Sequence, residues 1–367
     1  MKRDLFPTLR RLRNQDVDGL VGLEIDADSV AAAQIDETGA ARLAAGAVGP
    51  LAAGAVNDGE VADQDAVAEA LRNLFTTHDL PRKVRLGIGN QRVVVRTLRL
   101  PMIENPKELA TAVRFAAQEQ IPMPIDDAVL DHRVVGGAAT AEAATPQLDV
   151  VVVAARRAMV AAWLETLRKA GLQPMGIDLS AFGLIRAMGE LPEPEGEEAP
   201  ARPTTSVLYA NIGEVTNLAI ARGRSCLFTR VSPVGIGDIV SSLGSSTEMA
   251  REHSRQWLYY VGLTHPAESL EGDPATVAQT RAVLENGASA LLDELRLSLD
   301  FYSAQEGAAR VERIVLSGPG SILPGLGEWM EPALGLPIEA KLPSALSELD
   351  AATAARLTLS YGLALEE

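Results

Sequence analysis

The chain has 367 residues, of which 47% are hydrophobic, and 33 Lys and Arg against 49 Asp and Glu give it a formal net charge of −16. This length allows two or three domains, and this composition supports packed cores, so a wholly disordered chain is excluded. The negative charge argues against a general nucleic-acid binder, because phosphates would be repelled by most of the surface. The single cysteine, Cys226, cannot form an internal disulfide and fits a reducing compartment.

The N-terminal region shows no targeting signal. No run of about 18 apolar residues exists to span a membrane, and the first residues lack the apolar core of a signal peptide. A cytoplasmic protein is therefore expected. The first 15 residues hold five Lys or Arg against one Asp. We expect residues 1–18 to form a basic, solvated tail, with a weak tether to an anionic membrane as the alternative.

Residues 19–80 begin with three short extended runs. Polar turns, Asp-Ala-Asp-Ser and Glu-Thr-Gly, separate these runs, as antiparallel hairpins require. A helix is predicted over 63–75, because apolar residues recur on one face there. Asp63 is placed to accept hydrogen bonds from the first free N–H groups of that helix.

Residues 81–175 have a different order, which is strand, strand, helix, strand, strand, helix. The sequence predicts that the first helix begins at Asn105 and Pro106. A capping residue is followed there by a proline whose missing N–H costs nothing at the first helical position. The second helix is predicted over 156–170 and stops at Gly171. This order indicates a small α+β module.

The second half of the chain opens like the first. Residues 190–205 are rich in Pro and Glu and read as an exposed linker, and three strands follow over 206–232. The segment LYANIGEVTNLAIARG loosely echoes LVGLEIDADSVAAAQID, which predicts an internal duplication. A helical region at 233–305 contains a long helix at about 276–304. The last part, 306–367, includes a strand that ends in a glycine-containing turn, RIVLSGPGSILPGL.

Two related hairpins and a late glycine-containing turn are suited to binding a nucleoside triphosphate. Backbone N–H groups of two hairpins can grip a triphosphate from both sides, and a glycine turn lets a nucleoside approach the backbone. Acidic turn residues could hold Mg²⁺ and a water. This is the logic of the actin-type ATPase fold. The four histidines, by contrast, are scattered without ligand spacing, so no metal site of that kind is expected.

Four segments, in the right order, resemble the type IV pilus assembly protein PilM family, a relative of the cell-division protein FtsA within the actin-like ATPase superfamily. They are residues 96–135, which include the characteristic peptide EQIPMPID, and residues 151–188, 291–305 and 311–326. The resemblance implies an α/β fold of two actin-like, ribonuclease-H-like halves, with the small α+β module inserted in the first. It implies the following division: a tail at 1–18, a first subdomain at 19–80 plus 176–189, the inserted module at 81–175, a linker at 190–205, a second subdomain at 206–232 plus 306–367, and its helical subdomain at 233–305.

The nucleotide motifs of this family are altered in the chain. Where the first phosphate loop of the family reads Gly-Ile-Asp-Ile-Gly-Ser, this chain reads Gly-Leu-Glu-Ile-Asp-Ala from Gly22. Glu24 therefore lengthens a carboxylate, and Asp26 replaces a glycine. A carboxylate facing a phosphate in a partly buried site costs on the order of several kcal/mol unless a cation intervenes. In the second loop Asn211 replaces an aspartate, while Gly213 is kept.

Two further motifs depart from the family pattern. Pro319 stands in the adenosine turn, where it removes a backbone donor, and the helix from Ala250 lacks the usual lysine. ATP and Mg²⁺ are therefore predicted to bind weakly or not at all, and ordinary turn residues are the favoured interpretation of the acidic positions. The candidate nucleotide-binding residues, all in degenerate motifs, are Glu24, Asp26, Asp28, Ser29, Asn211, Gly213, Gly318 and Gly320.

Two functions from different classes follow from the resemblance. The leading one is a cytoplasmic scaffold at the inner face of the cell membrane. It would bind the cytoplasmic N-terminal peptide of a PilN-like bitopic membrane protein in a groove that involves the 81–175 module, and would couple that complex to pilus motor ATPases. The alternative is an active actin-like ATPase that binds Mg·ATP between the halves and polymerises. The sequence does not decide whether the chain self-associates. It also does not decide whether the machine assembles pili or is a related secretion or uptake system.

Overall fold

The computed structural model describes residues 19–36, 41–138, 147–189, 206–305 and 307–366; the predicted tail at 1–18 and linker at 190–205 lie outside these ranges. The described ranges contain fifteen β-strands and nine α-helices. The strands are β1 (Val21–Ile25), β2 (Ser29–Asp36), β3 (Arg42–Pro50), β4 (Val56–Asn57), β5 (Glu60–Val61), β6 (Lys83–Ile88), β7 (Val94–Pro101), β8 (Ala128–Ala138), β9 (Gln147–Arg156), β10 (Gln173–Leu179), β11 (Ser206–Ile212), β12 (Thr216–Arg222), β13 (Ser225–Ser232), β14 (Val311–Ser317) and β15 (Ile338–Ala340). The helices are α1 (Gln64–Thr77), α2 (Pro106–Gln120), α3 (Arg157–Lys169), α4 (Ser180–Met188), α5 (Ile236–Thr247), α6 (Arg251–Val261), α7 (Pro274–Ser303), α8 (Leu326–Leu334) and α9 (Ala351–Ala364).

Two five-stranded sheets share one topology. In the first, β1, β2 and β3 form an antiparallel meander, and β6 and then β10 continue in parallel on the other side of β1. In the second, β11, β12 and β13 form the meander, and β14 and then β15 continue in parallel beside β11. Strand order and direction therefore repeat, and the duplication predicted from the sequence echo is confirmed.

Two helices tie the halves together. Helix α4 follows the last strand of the first sheet but packs against β12 of the second, and the C-terminal helix α9 packs on β1 and β2. Glycines allow this close approach, because a Cβ on Gly362 would lie 1.9 Å from the Gly183 carbonyl oxygen. A Cβ on Gly22 would lie 1.9 Å from the Ser360 carbonyl oxygen. Gly22 opens the predicted phosphate loop, but what it permits is the packing of β1 against α9.

A third, three-stranded antiparallel sheet has the order β7-β9-β8, with α2 packed on it. It is narrower than the expected module of 81–175. Strand β6 lies between β1 and β10 in the first sheet, and α3 contributes Trp163 and Leu167 to the core of that sheet. The separate small sheet and its helix therefore span 94–156. The pattern of β6 predicts a buried strand but does not say which sheet buries it. Division of the chain into independently folding units stays a prediction.

The helices begin and pack largely as predicted. Asp63 accepts hydrogen bonds from the Asp65 and Ala66 N–H groups at the start of α1, and Asn105 accepts from Lys107 N–H at the start of α2. The apolar stripe on α7 faces the core of the second half, where Leu284, Ala288, Leu291, Leu295 and Tyr302 are buried. None of the described helices is long and apolar enough to cross a membrane.

Candidate functional site

The two hairpin turns that were predicted to grip a phosphate face each other across a narrow cleft between the halves. In the turn between β1 and β2, the Asp26 N–H donates to the Ser29 carbonyl oxygen over 2.9 Å. The turn between β11 and β12 contains Gly213 and Glu214. The Asp26 carboxylate crosses the cleft and accepts a hydrogen bond from the Glu214 backbone N–H, with 3.1 Å between Oδ2 and N. A predicted turn residue thus links the halves directly.

The cleft encloses a cavity of about 20 Å³, which is room for about one water molecule. Six of the eight candidate residues line it, namely Glu24, Asp26, Asp28, Ser29, Asn211 and Gly213. The charged lining residues that the sequence analysis did not single out are Glu214, Arg255 and Arg356. The hairpins therefore bring the predicted residues together, but the two hairpin turns pack so closely that little space remains between them.

The other two candidates, Gly318 and Gly320, lie beside the cavity in the turn after β14. A Cβ on Gly318, whose φ is +76°, would lie 2.9 Å from the Asn211 side chain. A Cβ on Gly320 would lie 2.4 Å from Cγ2 of Ile212. Both glycines therefore let this turn pack against the end of β11. Their role in the described structure is close backbone packing.

Two arginines of the second half pair both with a carboxylate across the cleft and with one in their own half. Arg255 on α6 donates to Asp28 of the first half and lies 3.4 Å from a Glu214 carboxylate oxygen of the second half. Arg251, one helical turn earlier, donates to Glu214 and approaches Asp28 to 3.9 Å. Arg356 on α9 approaches Asp28 to 3.8 Å. The i, i+4 spacing of Arg251 and Arg255 was a sequence signal that they share one face, whereas nothing in the local sequence singles out Arg356.

The pKa values of the paired carboxyl groups shift in opposite directions. Burial alone would raise the pKa of Asp28, but the hydrogen bond and charge of Arg255, together with the charge of Arg356, hold it below its ordinary value. Burial raises the pKa of Glu214 to about 7, and nearby Asp28 adds to that rise while Arg251 opposes it. The guanidinium groups therefore compensate Asp28 well and Glu214 only in part.

The two deeper carboxyl groups also resist ionisation. Burial raises the pKa of Glu24 well above its ordinary value, with a further contribution from the charge of Asp26. Burial likewise raises the pKa of Asp26, against hydrogen bonds from the Glu214 and Ala27 N–H groups that lower it. Each additional negative charge in the cleft is therefore unfavourable.

These residues do not fit Mg·ATP. Arg251, Arg255 and Arg356 are already paired with carboxylates, so a triphosphate would add negative charge to a site that disfavours it. A cavity of about 20 Å³ holds no nucleotide.

A second cavity has a different character. It is a groove of about 480 Å³ between the small sheet and the second half, and we call it the groove. Strand β7, at one edge of the small sheet, and strand β13, at one edge of the second five-stranded sheet, both line it. Leu297 and Phe301 on α7 also line it, and their side chains are 54% and 55% exposed. The Phe228 and Phe301 rings lie 5.8 Å apart.

Polar groups in the groove differ in how well they are satisfied. Arg230 donates to Glu294 and to Ser298, each over 2.9 Å. Asn217 is buried, and its Oδ1 has no hydrogen-bond partner among the described residues. Arg96 donates to the Val95 carbonyl oxygen and has no acidic partner within those same ranges. The groove therefore combines apolar surface with a cation, Arg96, that has no acidic partner in the described part of the chain.

Comparison with known proteins agrees with this architecture. The family whose description reads "Type IV pilus assembly protein PilM" matches residues 22–366. A solved structure described as the PilM-PilN type IV pilus biogenesis complex is similar with a TM-score of 0.76 and 26% identity, over 94% of this chain and 97% of that chain.

More distant structures show the fold alone. The ethanolamine utilization protein EutJ from Carboxydothermus hydrogenoformans has a TM-score of 0.53 and 14% identity, over 94% of this chain and 88% of that chain. MreB5 of Spiroplasma citri bound to ADP has a TM-score of 0.53 and 12% identity, over 94% of each chain. These actin-like ATPase folds confirm the predicted fold class. Because the family match covers 22–366 and the fold agrees, this chain belongs to the type IV pilus assembly protein PilM family.

Proposed function

We propose that this chain is a scaffold of a type IV pilus assembly machine, or of a related secretion or uptake machine, and binds a PilN-like inner-membrane protein. The supporting observation is its similarity, at 26% identity over 94% of the chain, to a protein solved in a PilM-PilN complex. The chain would reach the inner face of the cell membrane through that partner and couple it to motor ATPases. Its own role is to hold a peptide rather than to transform a substrate.

The groove is the proposed seat of the partner's cytoplasmic segment. Two edge strands, β7 and β13, line it and offer backbone groups to an extended peptide, which is the geometry of strand addition. Phe228, Leu297 and Phe301 would take apolar side chains. Arg96 would pair with an acidic residue of the peptide.

A binding assay tests this proposal. A fluorescent peptide with the cytoplasmic N-terminal sequence of a PilN-like membrane protein is titrated with the full chain by fluorescence anisotropy. Leu297→Asp places a charge in the apolar part of the groove, so we expect the Kd to rise about tenfold or more. Val134 is also an exposed apolar residue, 44% exposed, but it lies on β8, the opposite edge of the small sheet.

Val134→Asp is therefore the matched control, and it should change the Kd by less than about twofold. If both variants bind the peptide as tightly as the unaltered chain does, the groove is not the binding site. Failure of the unaltered chain to bind the peptide at all would contradict the scaffold function itself. A pull-down with the full chain tests the coupling. We expect the chain to capture a motor ATPase only when the PilN-like partner is present.

We further infer that the cleft binds no Mg·ATP. The supporting observation is that Asp26 and Glu214 occupy the space between the hairpins while the arginines are already paired. Isothermal titration with Mg·ATP should give no binding heat at millimolar nucleotide. Tight binding, with hydrolysis above the background rate, would instead support an active actin-like ATPase.

A further inference from the structure

Carboxylates of this chain occupy the two places in the cleft that favour an anion. The first is the backbone of the second hairpin, where the Glu214 N–H donates to Asp26. The second is the first turn of α5, because a Cβ on Gly237 would lie 2.2 Å from Oε2 of Glu214. A helix N-terminus attracts negative charge through its free N–H groups. The chain thus places its own carboxyl groups where a bound anion would otherwise be stabilised.

Arginines then connect carboxyl groups of the two hairpins. Arg255 is only 16% exposed and contacts both Asp28 of the first hairpin and Glu214 of the second. Arg356 on α9 adds a second cation beside Asp28 and also donates to Ser29 over 3.0 Å. The contacts of Arg255 therefore span the cleft, so opening the cleft must break at least one of them.

We propose that Asp26, Asp28, Glu214, Arg251, Arg255 and Arg356 form an interlobe clamp, which holds the two halves closed without nucleotide. Closure is then set by the ionic environment. The closed cleft is a constant property of the chain during an assembly cycle, rather than a state that ATP binding and release interconvert. The clamp rests on the inference that the cleft binds no Mg·ATP.

Hydrogen exchange of the full chain tests the clamp directly. The reporter is the Glu214 amide, which is protected by Asp26 only while the halves are closed. Raising the ionic strength from about 0.1 M to about 1 M shortens the Debye length from about 10 Å to about 3 Å, so exchange at this amide should accelerate. Addition of Mg·ATP should leave it unchanged.

Arg255→Gln removes the cation that bridges the two halves. We expect about tenfold or faster exchange at Glu214 and in the turn of Asp28. Arg114→Gln is the matched control, because Arg114 forms an exposed ion pair with Asp126 in the small sheet's helix, and it should leave this exchange unchanged. Asp28→Asn, which keeps the side-chain shape and removes the charge that pairs with Arg255, provides a second variant if Arg255→Gln does not fold.

The outcomes separate the clamp from the inference on which it rests. Unchanged exchange at Glu214 in both variants and at high salt would overturn the clamp, whatever the calorimetry shows. Binding heat with Mg·ATP would overturn the absence of nucleotide binding. Slower exchange at Glu214 on addition of Mg·ATP would show that nucleotide, rather than the clamp, closes the cleft.

Discussion

The cleft between the halves and the groove beside the small sheet are of opposite chemistry. The cleft holds about 20 Å³ and is lined by charged side chains that pair with one another across it. The groove holds about 480 Å³ and is lined by exposed apolar side chains, among them Leu297 and Phe301. The cleft is therefore filled by the chain's own charged side chains, whereas the groove leaves apolar surface uncovered.

This difference indicates which property each region controls. Ion pairs in the cleft provide contacts between the halves. A groove bordered by two strand edges keeps both space and hydrogen-bonding capacity. Substitutions in the cleft should therefore change stability, and substitutions in the groove should change binding.

The largest effect on stability is expected from Arg255→Ala. Removing this side chain leaves the partly buried Asp28 carboxylate without its main partner, and breaking an ion pair costs at most about 3–5 kcal/mol of unfolding free energy, the value for full burial. Denaturant titration measures the loss. Arg114→Ala at the exposed pair with Asp126 should cost less than about 1 kcal/mol. Similar losses for the two variants would mean that the cleft pair is no stronger than a surface pair.

A somewhat smaller effect is expected from pH. The folded pKa of Glu214 is about 7 against an ordinary 4.5, so between these values the folded chain holds a proton that the unfolded chain has released. Stability therefore falls as pH rises through that window, by up to about 3 kcal/mol for a shift of this size. The side chain of the Glu214→Gln variant does not titrate. The unfolding free energy of this variant should therefore fall less between about pH 5 and about pH 8 than that of the unaltered chain. If the unfolding free energies of the variant and the unaltered chain change in parallel with pH, the raised pKa of Glu214 is contradicted.

A single hydrogen bond at the rim of the cleft should have a modest effect. The Tyr259 hydroxyl donates to the Pro319 carbonyl oxygen over 2.7 Å, which ties α6 to the turn after β14. Tyr259→Phe removes that donor and should lower the unfolding free energy by about 1 kcal/mol. The affinity for the PilN-like peptide should not change. A large loss of affinity would indicate that the cleft and the groove are coupled.

The smallest effect on stability is expected in the groove. Leu297 is 54% exposed, so Leu297→Ala should change the unfolding free energy by less than about 0.5 kcal/mol. The same variant should weaken peptide binding by several-fold, because the peptide covers this side chain. Thermal melting and fluorescence anisotropy on one preparation separate the two quantities. A marked drop in the melting temperature would place Leu297 in the core of the fold instead.

Several features of the fold followed from local sequence. Asp63 and Asn105 began helices where predicted, and the apolar stripe on α7 is buried, because capping and periodicity depend on neighbouring residues. The echo between the two halves predicted a shared topology, which the two sheets confirm. Strand β6, which was predicted within 81–175, pairs with β1 and β10 of the first sheet, and a buried strand has the same pattern in either sheet.

By itself, the sequence determined the element types, the duplication, the family resemblance and the departures from the nucleotide motifs. Only the tertiary structure decided what those departures do. Asp28 and Arg255 are 227 positions apart, and Asp26 and Glu214 are 188 positions apart. Such pairs form because two halves pack with their hairpins face to face, and no local pattern encodes which side chains then meet. The negative charge at Asp26 was readable from the sequence, but its hydrogen bond to the opposite half was not.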